Sequence, residues 1–182
     1  MHSVTVIVGS LRRESINRRY AQALEKLAAG KLAFTYARLD DVPMYNNDLW
    51  EDPPAAVTRL KQEIEAADGV LFVTPEHNRS MPPVVKNAVD WASRPWGKNA
   101  WADKPVAICG ASPGGVGTAV AQAHLRMCLT AIGVLLMTGP EVYFQMKDGA
   151  ITDDGAFADE GTAKFMAGFL DKFDGWIGRF KG

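Results

Sequence analysis

Little in this sequence points to disulfide, metal or membrane chemistry. Cysteine occurs only twice, at Cys109 and Cys128, and no Cys-x-x-Cys pair exists. That count leaves no disulfide framework. Both residues lie in apolar stretches, so buried, reduced thiols are expected, as in a cytoplasmic protein. Nothing activating neighbours either one, so no catalytic thiol is expected. His2, His77 and His124 lack metal-ligand spacing, and no metal site is expected. An excess of charge of one sign is also missing. Twenty Lys and Arg against twenty-one Asp and Glu leave a net charge of −1, which gives no footprint for nucleic acid and no polybasic patch for a membrane surface. No apolar run approaches ~18 residues, so no transmembrane helix is expected. The chain enters a strand at once, and no signal peptide is expected. Neither GxxxxGK[ST] nor GxGxxG occurs, which excludes a P-loop and a dinucleotide fingerprint.

What is present is a chain of 182 residues, 47% apolar, enough for one domain over 1–182 with a substantial core. Its most informative stretch is Val4–Asn17, VTVIVGSLRRESIN. The β-branched run from Val4 to Val8 reads as a buried strand. It stops at Gly9-Ser10. A helical pattern begins near Ser15, with Ile16, Tyr20, Ala23, Leu24 and Leu27 on one face. Hydroxyls, a guanidinium and an amide therefore gather where a helix N-terminus leaves N–H groups unpaired. Such a turn can hold a phosphate, with Arg12 adding charge-assisted hydrogen bonds. On these residues alone a plain cap with a solvated Arg12 is an equal reading.

Further strands are expected at Leu32–Leu39, Gly69–Thr74, Lys104–Cys109 and Val134–Met137, alternating with helices. The long polar connection Asp40–Pro53 is of a length that is often functional. The helix at about Thr118–Ile132 is apolar on more than one side, which suggests packing against a second subunit. Lys147–Gly155 reads as an irregular or hairpin excursion. The last helix carries Phe165, Phe169, Phe173, Trp176 and Phe180 as a core or interface stripe. Strict alternation predicts an α/β fold with a five-stranded parallel sheet between two helical layers, a flavodoxin-like three-layer sandwich of order 2-1-3-4-5. Ligands in such sheets bind where the order reverses, outside the carboxyl ends of the strands. The loops after strands one and three are selected by that rule, and the glycine loop 110–117 borders the same crevice.

Three segments resemble the NAD(P)H-dependent FMN reductases, the family of the bacterial quinone and chromate reductases. Gly9–Asn17 is similar to its GSLRxxSxN phosphate loop, Thr74–Trp91 to its TPEYNxSxPGxLKNAIDW signature, and Ala111–Thr118 with His124-Leu-Arg126 to its third region. The resemblance implies FMN, with Ser10, Leu11, Arg12, Ser15, Ile16 and Asn17 around the phosphate. Pro75, Glu76, His77 and Asn78 would run along the isoalloxazine ring, and Ser112 would lie near it. His77, Arg79, Glu14 and Pro83 depart from the family pattern. An arginine at 79 could attract an anionic acceptor or the nicotinamide cofactor's phosphate, or pair across a subunit contact.

The activity so implied is ping-pong transfer. A hydride passes from NADPH or NADH to the flavin, then to small-molecule acceptors: quinones, azo compounds, free flavins or metal oxyanions such as chromate. No obligatory side-chain acid or base is expected, because the flavin carries the chemistry. The family also implies a homodimer or homotetramer. Two alternatives stay open at this level: a flavodoxin-type electron carrier and a non-enzymatic flavodoxin-like binding module. Arg12 and the near-neutral charge count against the carrier.

Overall fold

Val4, Val6, Ile7 and Val8 are all buried, together with Thr5 between them. A strand apolar on both faces has to be covered on both. This strand, β1 (His2–Val8), lies inside a parallel sheet in a computed structural model that describes residues 1–181. It pairs with β2 (Leu32–Tyr36) on one side and β3 (Gly69–Val73) on the other. Beyond β3 come β4 (Pro105–Ser112) and β5 (Leu135–Leu136), giving the order β2-β1-β3-β4-β5. The reversal between the first and third strands is the one expected from the alternation.

The strand bounds differ in places from those expected. The expected second strand stops at Tyr36 rather than Leu39, and the fourth extends to Ser112 rather than ending at Cys109. The fifth position is filled twice. After β5, a further strand β6 (Tyr143–Gln145) pairs in parallel with the far end of β4, placing Tyr143 opposite Gly110 and Gln145 opposite Ser112. The expected single strand Val134–Met137 is therefore corrected to two short segments in line. The break falls at Gly139-Pro140, where proline has no N–H to give a ladder.

The helices are α1 (Ile16–Ala28), α2 (Ala55–Ala66), α3 (Pro83–Ala92), α4 (Ala119–Ala131) and α5 (Glu160–Gly178). Val4, Val6 and Val8 face a core with Tyr20 and Leu24 of α1 and Phe169, Phe173 and Ile177 of α5. Ile7 faces the opposite core, with Leu60 and Ile64 of α2, Val85 and Val89 of α3, and Leu125 and Leu129 of α4. The alternation of one strand thus feeds two layers. Phe169 and Phe173 of α5 are core, while Phe165 near its start and Phe180, which lies past its end at Gly178 rather than in the helix as expected, are exposed. Pro83 occupies the first turn of α3, where a missing N–H costs nothing.

The long connection after β2 has a structural anchor. Asn87 of α3 accepts from the Tyr45 N–H at 2.8 Å and donates to the Pro43 carbonyl at 2.9 Å. Trp91 donates to the same carbonyl at 2.7 Å, and the rings of Tyr45 and Trp50 sit edge-on to it. Asn87 and Trp91 are thus occupied in holding this loop to α3.

Candidate functional site

Three strands end together, and their loops enclose one crevice. β1 gives way to Gly9, whose N–H donates to the Val73 carbonyl at 2.9 Å. A Cβ on Gly9 would meet Val85 Cγ2 at 2.6 Å and Pro75 Cδ at 2.9 Å, so the first loop passes tightly under the third. β3 leaves the sheet after Thr74, whose N–H donates to the Cys109 carbonyl at 3.0 Å. β4 ends at Ser112. With the segment after β6, these loops surround a cavity of about 480 Å³, a size ordinary for small-molecule sites.

Of the eleven residues expected to hold the cofactor, nine line this cavity: Ser10, Arg12, Ser15, Ile16, Asn17, Pro75, Glu76, His77 and Ser112. Two do not. Leu11 lines a separate groove beside the end of β2, and Asn78 lines an adjoining cavity that shares Glu76, Ser112 and Pro113 with the first.

The α1 end of the crevice gathers hydrogen-bond donors and a positive charge. Ser15 is the N-cap of α1, and its Oγ accepts from the Arg18 N–H at 3.2 Å. Its hydroxyl proton is left to donate outward. The N–H groups of Ile16 and Asn17 belong to the first helical turn and have no intrahelical partner. They point with the positive end of the helix dipole. Arg12 lines the same end, is exposed, and has no carboxylate partner among the described residues.

Two side chains carry duties other than ligand contact. The Asn17 amide is buried and bridges to β4: Nδ2 donates to the Ala111 carbonyl at 2.8 Å, and Oδ1 accepts from the Ala111 N–H at 2.9 Å. Its backbone N–H is therefore what it offers the crevice. Glu76 turns its carboxylate away, toward α4. Oε2 accepts from the Val120 and Ala121 N–H groups at 3.0 and 3.1 Å, while Oε1 accepts from Arg79 Nη1 at 2.9 Å. Thr118 makes no side-chain cap bond, so Glu76 caps α4 from the other loop.

The β3 loop closes on itself after Glu76. His77 and Ser80 exchange both backbone hydrogen bonds, at 2.9 and 3.0 Å, across a two-residue turn. Asn78 and Arg79 in that turn have φ of 50° and 62°. Left-handed geometry suits asparagine and costs arginine. Ser80 Oγ meets His124 Nδ1 at 3.1 Å, tying the turn again to α4.

Sequence reasoning missed one wall. Met146–Gly149 and Ile151 line the cavity opposite the first loop, and Arg19 reaches across to hold them. Its guanidinium donates to the Ile151 carbonyl at 2.6 Å and to Thr152 at 3.4 Å. The paired Asp-Gly steps at 148–149 and 154–155 marked an excursion but not its position. Cys109 is buried beneath the site, and burial pushes its thiol up to about 12, so it holds no thiolate. Cys128 is only half-buried, against the expectation of two buried thiols, and both are free. Among the described residues no group of acidic, histidine and cysteine side chains is arranged for a metal, and no helix is long and apolar enough to cross a membrane.

Known proteins resemble this chain over nearly its whole length. A 2-hydroxy-1,4-benzoquinone reductase of a Burkholderia species is 45% identical over 174 residues, covering 96% of this chain and 95% of that protein. A quinone reductase of Pseudomonas putida is 44% identical over 178 residues, covering 97% and 95%. Among solved structures, the NAD(P)H:acceptor oxidoreductase FerB of Paracoccus denitrificans superposes with a TM-score of 0.96 at 48% identity, covering 99% of both chains. Residues 2–149 match the family described as NADPH-dependent FMN reductase, and the chain belongs to that family.

Proposed function

We propose that this chain, as a single flavodoxin-like domain, is an NAD(P)H-dependent FMN reductase whose acceptors are quinones. The observation that carries this reading is the crevice itself. At one end it has hydroxyls, free helix N–H groups and an unpaired arginine; along its floor it has loop backbone. The donor set fits a phosphate monoester joined to a flat heteroaromatic ring. Ser10, Arg12, Ser15 and the N–H groups of Ile16 and Asn17 would hold the phosphate. Leu11 would contribute only backbone. The Pro75–Asn78 loop and Ser112 would lie along the ring.

The chemistry FMN supplies when bound is two-electron relay, so that NAD(P)H, a proton and a quinone become NAD(P)⁺ and hydroquinone. The protein's part is to fix position. Glu76 and Arg19 hold two walls of the crevice rigid, and the β1 turn holds the anion. The carboxylate of Glu76 is committed to the α4 N-terminus and to Arg79, which leaves it no part as an acid or base toward a ligand. Azo compounds, flavins and metal oxyanions such as chromate are further acceptors of the same reaction type, with NADPH or NADH as donor. An anaerobic absorbance spectrum decides the matter. Bleaching of the flavin band by NADPH within seconds, ordinary enzyme speed, and its return on adding a quinone is the expected result. A protein that stays colourless with added FMN would refute the reading.

Arg12→Ala provides a residue-level check. The guanidinium has no carboxylate partner, so fold stability is expected to stay within about 0.5 kcal/mol, as for an ordinary surface change. FMN binding is expected to weaken by about 1.5–3 kcal/mol, the range for a hydrogen bond to a charged group. Titration of apoprotein by flavin fluorescence measures this.

The protein is further proposed to act in the cytoplasm as a homodimer or homotetramer. Support comes from α4, which buries Ala121, Leu125 and Leu129 inward yet leaves Met127 69% exposed on its other side. Light scattering at micromolar concentration is expected to give at least twice the 19.8 kDa chain mass; a monomer would reject it.

A further inference from the structure

A second cavity, of about 630 Å³, opens beside the crevice and shares Glu76, Ser112 and Pro113 with it. One wall is the His77–Ser80 turn and the other is the Ser112–Gly117 loop. Only two charged side chains border it, Glu76 and Arg79. They form an ion pair at 2.9 Å, yet they are not equivalent. The Glu76 side chain is 8% exposed, and the positive end of α4 already meets its carboxylate through two N–H groups. Arg79 is 67% exposed. The negative charge is thus buried and compensated without Arg79, while the positive charge faces the cavity mouth. The net field offered to an incoming molecule is positive.

The backbone supports the same conclusion. A two-residue turn with both central φ angles positive favours asparagine and glycine. Asn78 fits, and Arg79 at φ 62° does not. Its side-chain hydrogen bond, to a carboxylate already capped, does not account for an arginine at such a position. A guanidinium held at the rim of a cavity adjoining a cofactor crevice offers two parallel N–H donors to an oxygen anion.

We propose that Arg79 selects anionic acceptors, quinoid rings bearing an ionised hydroxyl or a carboxylate, by binding that oxygen anion in the second cavity. This rests on the reductase reading of the neighbouring crevice. Arg79 is here a specificity residue: it touches the acceptor's charged substituent and not the atoms that exchange electrons. Binding is expected to appear in KM and to weaken with salt, since the guanidinium is solvent-exposed.

Two measurements on the FMN-loaded protein at neutral pH test it. The first is the ratio of kcat/KM for 2-hydroxy-1,4-benzoquinone, a vinylogous acid that is ionised there, to kcat/KM for 1,4-benzoquinone. Arg79→Gln is expected to lower that ratio about tenfold, just under the range for a charged hydrogen bond because the guanidinium is solvent-exposed, through KM rather than kcat. Arg79→Lys, which keeps the charge but not the paired donors, is expected to recover part of it. Parallel loss with both quinones, or no change in the ratio, would overturn the inference. The second measurement needs no turnover: benzoate and benzamide are titrated calorimetrically. Benzoate is expected to bind about tenfold more weakly to Arg79→Gln than to the parent, with benzamide far less affected. Equal responses would overturn the inference. If the parent reduces neither quinone, the reductase reading fails, and the benzoate comparison still decides the role of Arg79.

Discussion

Gly110→Ala is expected to destabilise the protein by about 3–4 kcal/mol, near the upper end for a single added methyl. Gly110 sits inside β4, where β3 has just left the sheet. A Cβ there would lie 2.0 Å from the Thr74 backbone oxygen and 2.4 Å from Thr118 Oγ1. The first contact is the serious one, because backbone cannot rotate out of the way. Thr74 is fixed by its N–H bond to the Cys109 carbonyl, so relief requires the β3 loop to lift from β4. That movement would also displace Pro75–His77, which line the proposed cofactor crevice. Urea unfolding is expected to show a lower midpoint at similar slope, with weaker FMN retention beside it. Gly168→Ala is the control. Gly168 lies on the exposed side of α5, and an added methyl there would have nothing within 4 Å. At that position the same substitution is expected to stabilise by about 0.8–1 kcal/mol, from helix propensity alone. Destabilisation at both positions would show that the close approach at Gly110 is not the cause.

Asn17→Ala is expected to cost about 3 kcal/mol. β3 pairs with β4 only as far as Cys109, after which its chain turns away. Ala111 lies two residues on, so its N–H and C=O point to the side β3 has vacated. The Asn17 amide takes that place with one donor and one acceptor. Removing it leaves two buried backbone groups of Ala111 unpaired, each costing about 1–3 kcal/mol; alanine's better helix propensity returns only a fraction. Asn17→Asp is the sharper variant. It keeps the acceptor for the Ala111 N–H but sets a carboxylate oxygen against the Ala111 carbonyl. It is expected to be at least as destabilising, although it is nearly isosteric. Thermal unfolding of the apoprotein separates these effects from ligand loss. Full stability in both variants would mean that the bridge is dispensable.

The fold is legible in the sequence where the determinants are local. The run Val4–Val8, the polar turn after it and the helix beginning at Ser15 each carry their own signal, and the order of strands follows from their alternation with helices. The place of the crevice follows from that order. The rest depends on partners far away in the chain. Asn17 reads as a ligand because it stands in a polar turn; its partner, Ala111, is 94 positions on. Glu76 reads as a crevice residue, yet its carboxylate caps the distant helix that begins at Ala119, while the local candidate, Thr118, caps nothing. The wall at Met146–Ile151 is fixed by Arg19 from 132 residues away. The strand Tyr143–Gln145 is three residues long, too short for a period-two pattern to stand out.

The divided fifth strand has a consequence for behaviour in concentrated solution. A sheet border normally offers a row of free N–H and C=O groups on which a foreign chain can grow amyloid-like. Here that border consists of Leu135–Leu136 and Tyr143–Gln145, interrupted by a proline-containing detour. No stretch is long enough to template an added strand, so the sheet protects itself from fibrillar growth on this side by discontinuity rather than by charge.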